Sequence, residues 1–361
     1  MHAKCSSVFP SANDAVRPEP GWSPNTLKTT FVVTVDVESR SKGDPAQDVL
    51  GVIPGYQGNF GIGRIMDLME AHQARATFFV NVYESAKHGD EAMSRAARMI
   101  HERGHDLELH THPRPMFPHY GMSQAPLDEQ VAILEKGISL LEAWTSKRVV
   151  AHRSGAFAAN TDTLRAAESV GLRADCSLSP GSRVEVPLVE ELGATNAAQR
   201  VDGVWEIPMT CFDQIRVGAW HSRRILDIEG CSLAEIKRVT RDAIRQGLPT
   251  VCILMHSFSF SRQGTPNRRA IRRLSALLGW LRRQDDIEIG TIEQVCRGLD
   301  AMPPPVGAAR IPRTGFWLTW CRAVGAWNEG GKNFVVAAAG LGGIALVALA
   351  VATAGYRLIH P

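Results

Sequence analysis

The chain has 361 residues, enough for one large catalytic domain with extra segments or for two modest ones. Forty basic against 37 acidic residues leave a net charge of only +3 with no long basic block, which excludes a protein built around phosphate contacts to nucleic acid. Seven cysteines, an odd number without a CxxC pair, exclude a disulfide framework and a zinc–thiolate site.

Residues 1–29 lack periodicity, are rich in Pro, Ser and Asn, and read as a mobile tail without the apolar core of a secretory signal. From there apolar, strand-like runs alternate with amphipathic helical stretches. Phe31–Val37 precedes a helix over 62–72, and Ala76–Val82 one over 91–102. Leu107–His110 precedes Leu127–Thr145, Arg148–His152 precedes Thr161–Val170, and Val251–His256 precedes 267–283. Strand followed by helix, repeated, predicts a parallel sheet. At this length a closed or nearly closed (β/α) barrel over about 30–300 is favoured over an open doubly wound sheet. Gly58, Gly61 and Gly63 make no dinucleotide fingerprint and mark a turn into a helix.

Pro303-Pro304-Pro305 opens a linker over 301–333. Phe334 to Tyr356 then runs without a charge, and at ~1.5 Å per residue spans roughly 34 Å, enough for one transmembrane helix. Trp317, Trp320 and Trp327 before it and Tyr356 at its end fit interfacial aromatics. Arg310, Arg313, Arg322 and Lys332 precede the span and only Arg357 follows closely. The positive-inside rule therefore predicts a single-pass membrane protein whose N-terminal portion faces the cytoplasm.

Chemistry-bearing residues cluster where the strand-like runs end. In Val33-Thr34-Val35-Asp36-Val37-Glu38 alternation sends the valines to one face and Asp36 and Glu38 to the other, about 7 Å apart. Glu108, His110 and His112 repeat the arrangement, and two imidazoles beside an acid suit an open zinc-type site. Arg153 closes the next run, a residue whose planar fork can hold a carboxylate. His256 ends the strongly apolar 251–255 and is placed to give or take a proton.

Taken in order, Thr34–Glu38, Gly104-His105-Asp106-Leu107 with His110-Thr111, Arg153–Phe157 and Leu254–His256 resemble the motifs of the polysaccharide deacetylases (NodB-homology, carbohydrate esterase family 4). The resemblance covers about Thr29 to Val295. It implies a deformed (β/α) barrel of NodB type, related to the TIM barrel, and a metal-dependent hydrolase that removes N-acetyl groups from amino sugars. Asp36 matches the catalytic base, Arg153 the residue orienting it, His256 the acid and His110 the first metal-binding histidine. Val37 stands where the family's second Asp would, so the ligand role passes to Glu38. Arg114 stands where the second His would, leaving His112 as the nearest substitute and His105 or His119 as others. Asp175 and Phe157 fall on substrate-side segments, and Asp175 is placed either to tune His256 or to cap the end of its strand. The implied cofactor is a divalent metal, zinc by default. The implied substrate is a polysaccharide or lipid-linked glycan precursor, with the membrane as partner. A catalytically silent glycan-binding module and a sugar O-acetyl esterase remain alternatives at this point.

Overall fold

A computed structural model describes residues 28–182, 186–217, 220–301 and 309–327. Strand β1 (Thr29–Val37) is a run of β-branched and aromatic residues in which every position is buried, as a central strand covered on both faces requires. Thirteen strands are formed among the described residues: β2 (Thr77–Asn81), β3 (Asp106–Thr111), β4 (Ala151–Ser154), β5 (Ala174–Asp175), β6 (Gln199–Val201), β7 (Val204–Glu206), β8 (Cys211–Val217), β9 (Trp220–Ile225), β10 (Thr250–His256), β11 (Ser261–Arg262), β12 (Thr265–Pro266) and β13 (Ile287–Gly290). Nine of them make one sheet in the order β10-β1-β2-β3-β4-β5-β7-β6, with β13 beside the first half of β1.

Helices cover its outside. The chain forms α1 (Pro45–Asp48), α2 (Ile62–Ala71), α3 (Ser85–His88), α4 (Asp90–Glu102), α5 (Leu127–Thr145), α6 (Thr161–Ser169), α7 (Pro187–Leu192), α8 (Leu233–Arg245), α9 (Arg268–Leu281), α10 (Ile292–Ala301) and α11 (Gly315–Trp327). Two cores follow from the period-two alternation of the strands. Val33, Val35 and Val37, with Phe78, Val80, Leu107 and Leu109, pack outward against α2, α4, α5 and α9. Val32, Phe79, Ala151, Cys252 and Leu254 point inward and share a second cluster with Ile292, Val295, Cys296 and Leu299 of α10. Ile292 donates its N–H to Thr77 Oγ1 at the start of β2, so α10 stops the N-terminal end of the curled sheet.

The sheet curls without closing through a strand ladder. Where β7 and β10 would meet, the chain entering β8 crosses the gap: Met209 N–H bonds Leu178 O at 2.9 Å, and Cys252 N–H bonds Thr210 Oγ1 at 2.9 Å. The α/β expectation therefore holds in the form of a deformed, open barrel. The C-terminal ends of its parallel strands lie along one rim, and the register aligns Asp36 with His256, Asn81 with His110, and His110 with Arg153.

The strand expected at 148–152 begins later, at Ala151: the N–H groups of Val150 and Ala151 both go to the Glu108 carboxylate, and pairing with β3 runs from His152. Within the stretch read as a linker, α11 is a helix anchored through Asp213: Asp213 N–H bonds Pro312 O at 2.8 Å, and Thr314 N–H bonds Asp213 O at 3.1 Å. Among the described residues no helix is long and apolar enough to cross a membrane. The span expected over 334–356 and the tail up to residue 27 lie outside the described residues.

Candidate active site

The rim of β1, β3, β4 and β10 gathers six of the residues singled out from the sequence. Glu38, one residue beyond β1, turns its carboxylate toward the end of β3. Its Oε2 lies 2.8 Å from His112 Nε2 and 3.4 Å from His110 Nε2. One donor atom from each of the three falls within 4.8 Å of the other two.

This set fits a divalent metal. A carboxylate and two imidazoles are an open zinc-type donor set, and bonds of ~2.0–2.1 Å in tetrahedral geometry place donors about 3.4 Å apart, close to the separations seen here. The orientation of His110 agrees. Its Nδ1 lies 2.9 Å from Arg153 O, and because a carbonyl only accepts, that nitrogen is the donor there and Nε2 is the nitrogen turned toward Glu38. Burial opposes ionisation of Glu38, but the His110 and His112 imidazoles outweigh it and hold the carboxyl well below the usual carboxylate range. Burial likewise pulls His112 down, while Glu38, with Asp36 and Glu84 beyond it, raises it overall. A proton on His112 and a cation at Glu38 therefore compete for the same place.

His112 is positioned by two further contacts. Its N–H donates to Asn81 Oδ1 at 3.3 Å, and its ring lies flat over Gly155, where a Cβ would come within 2.4 Å of the imidazole. Ala156 and Phe157 follow with φ of 53° and 57°, a left-handed turn that L side chains rarely adopt.

Beside the ligands, Asp36 Oδ1 accepts a hydrogen bond of 2.7 Å from Arg153 Nη1. Arg153 is fully buried: Nη1 also reaches Thr34 Oγ1 at 3.1 Å, Nε reaches Cys176 O at 3.2 Å, and the guanidinium lies 4.2 Å above the Phe79 ring. Its side chain thus fixes Asp36 while its carbonyl fixes His110. Opposite, His256 Nε2 is 3.8 Å from Glu38 Oε1, and Nδ1 is 3.6 Å from Glu229 Oε1. Burial alone would lower this imidazole, but Glu229, then Asp36 and Glu38, outweigh it and push it up to about 9. Ser259 links the two, accepting from His256 N–H at 2.9 Å and donating to Glu229 Oε1 at 2.6 Å. Ser257 joins β10 to β1, its N–H on Asp36 O at 2.8 Å and its Oγ on Glu38 O at 2.8 Å.

Several expectations are corrected. Glu108 faces inward as alternation requires, but lies two residues deeper than His110. There it accepts from Lys147 Nζ, Val150 N–H and Ala151 N–H at 2.7–2.8 Å and takes no part in the rim. Asp175 does not tune His256. It sits on β5, beside β4, and is committed to His152 Nδ1 at 2.5 Å and Ser177 N–H at 2.8 Å. Phe157 is packed into the inner core and does not line an open subsite. His105 accepts from Ala76 N–H at the opposite end of β3, and His119 pairs with Glu129 at 2.5 Å, which leaves His112 as the second imidazole. Sequence reasoning missed Glu229, Ser257, Ser259 and Asn81. Glu229 lies in the turn between β9 and α8, where no periodicity assigns a face, and only three-dimensional proximity reveals it.

Residues 55–174 match the family model described as "Polysaccharide deacetylase". No curated protein matches the sequence. Among solved structures, a candidate polysaccharide deacetylase from Mycobacterium smegmatis is 18% identical with a TM-score of 0.51; the match covers 81% of this chain and 98% of that one, and it shows the shared fold. Looser similarity, with TM-scores of 0.41, extends to the family 4 carbohydrate esterase PdaA of Bacillus subtilis (12% identical, covering 76% of this chain and 83% of that one). It extends equally to a Bacillus anthracis protein described as a CE4 family pseudoenzyme (15% identical, 76% and 66% covered). The family that the motifs on β1, β3, β4 and β10 resemble is thus the one whose model this chain matches, the polysaccharide deacetylases.

Proposed function

We propose that this chain is a metal-dependent hydrolase that removes N-acetyl groups from amino sugars of a polysaccharide or a lipid-linked glycan precursor. The observation that carries the reading is the convergence of Glu38, His110 and His112 on one point, with Asp36–Arg153 beside them and His256 opposite. Glu38, His110 and His112 would hold the ion, zinc by its donor set. When bound, such an ion supplies Lewis acidity toward an amide carbonyl and lowers the pKa of a bound water.

The chain's own residues do the rest. Arg153 holds Asp36 in place through Oδ1, so Oδ2 is the oxygen left to take the proton of the attacking water. His256 is held as the imidazolium by its acidic neighbours and gives its proton to the sugar nitrogen as the C–N bond breaks. That proton matters because an amide anion is too poor a leaving group to depart unaided. The products are acetate and a free amine.

The uncharged stretch 334–356 supports a membrane tether behind the catalytic portion of about 30–300, with 301–333 between them. The basic residues Arg310, Arg313, Arg322 and Lys332 ahead of it support a cytoplasmic-facing site, which favours a lipid-linked precursor over a finished polymer. Acetate release from N-acetylated oligosaccharides and from lipid-linked amino sugars, measured with metal content, tests the reading. One divalent ion per chain, lost together with turnover in Glu38→Ala, is the expected result. A metal-free, inert wild type overturns it. His256→Ala is expected to damage amide turnover far more than ester turnover, and equal losses would remove the acid role.

A further inference from the structure

Helix α11 turns an aromatic face away from the barrel. Phe316, Trp317 and Trp320 are 51%, 70% and 39% exposed, and Cys321 is exposed beside them. These positions, spaced i, i+1, i+4 and i+5, lie on one side of a helix. The other side is docked. Thr319 is buried, Arg322 Nε is 3.3 Å from Glu235 Oε1 at the start of α8, and Arg322 Nη1 reaches Gly230 O at 3.4 Å. Arg310 and Arg313, both exposed, precede the helix.

Two observations identify what covers this face. The three rings expose together roughly 300 Å², taking ~200 Å² for each, against about 800 Å² per partner in a stable protein interface, so a second copy or a folded partner is not suited to it. Seven residues beyond Trp327 the sequence enters the uncharged run from Phe334 to Tyr356. Indole rings beside basic residues, next to a hydrophobic stretch of that length, match the headgroup level of a bilayer.

We infer that α11 lies in the interface of an anionic bilayer, with Phe316, Trp317 and Trp320 at the acyl boundary and Arg310 and Arg313 at the lipid phosphates. Gly230, which α11 holds, adjoins Glu229, which faces His256. The acid side of the candidate site is therefore kept beside the membrane surface, where a sugar on a lipid carrier would present its acetamido group. This rests on the membrane tether of the proposed function.

The test uses the full chain in bilayers of phosphatidylcholine and phosphatidylglycerol that contain lipids brominated near the headgroup end of the acyl chain. Bromolipid-quenchable tryptophan emission is expected to fall at least about two-fold in W317F/W320F and to stay unchanged in W280F, whose ring is buried. Equal quenching in wild type and W317F/W320F overturns the inference. So does emission from these two positions that is quenched by aqueous acrylamide alone, or shielded from both quenchers as a protein contact would shield it. Carbonate extraction separates the two readings. A wild-type chain that resists extraction while Trp317 and Trp320 escape bromolipid sinks only the interface helix, whereas an extractable chain sinks the tether and this inference with it.

Discussion

Arg153 is the residue through which both halves of the candidate site are held. Its guanidinium and the Asp36 carboxylate are out of solvent, so each leaves a buried, uncompensated charge if the other is removed. Arg153→Met is expected to cost about 3–5 kcal/mol of stability. Adding Asp36→Asn should return part of that loss, because the orphan charge disappears with it. Urea unfolding of the two single variants and the double variant measures this, and strict additivity would refute the coupling. At His256 the sign runs through Glu229. The carboxylate stabilises the imidazolium from the Nδ1 side, independently of whatever Glu38 holds on the Nε2 side. If the imidazolium is the active form, activity declines as pH rises through its pKa. Glu229→Gln lowers that pKa, so the alkaline limb of kcat should move down by about one pH unit. A limb that stays in place would separate Glu229 from the acid.

At the scale of strands and turns, Gly155 sets the position of His112. A methyl group there would meet the imidazole at 2.4 Å, and the His110 ring, 5.0 Å away centre to centre in a T-shaped pair, crowds the same imidazole. Gly155→Ala is therefore expected to weaken metal binding by about 10–100-fold with little change in the unfolding midpoint of the metal-free chain. Competition against a chelating dye reads the first quantity and thermal melting the second. A loss of fold without a change in affinity would contradict it. This turn also marks where sequence legibility ends. Alternation placed Asp36, Glu38, His110 and the inward face of β3 correctly because side-chain direction has a local cause. Depth along a strand has no such cause: Glu108 shares the face of His110 but sits among Lys147 and the backbone N–H groups of 150 and 151. Of the two roles open to Asp175, the strand-end cap is the one formed, through Ser177 N–H, and strand order decides its other neighbour, since β5 beside β4 gives it His152 rather than His256. Glu229 came from a turn whose contact with His256 depends on the return of β10 to β1.

Across the whole molecule, the candidate ligands come from β1 and β3 with β2 between them, and the acid comes from β10 on the other flank. The unfolded chain offers no such convergence, so an ion that binds here binds the native state alone and its affinity becomes folding stability. At a free concentration of one hundred times Kd this amounts to about 2.7 kcal/mol. For a domain of about 270 residues, that corresponds to an increase of roughly 4–6 °C in Tm. Zinc added to the chelator-treated chain should raise the melting temperature by that amount, and excess chelator should reverse it. Glu38→Ala, which removes the carboxylate common to both imidazole contacts, should melt at one temperature with or without the ion. If the wild type does not respond, or if Glu38→Ala responds as strongly, the ion is not held where β1 and β3 meet.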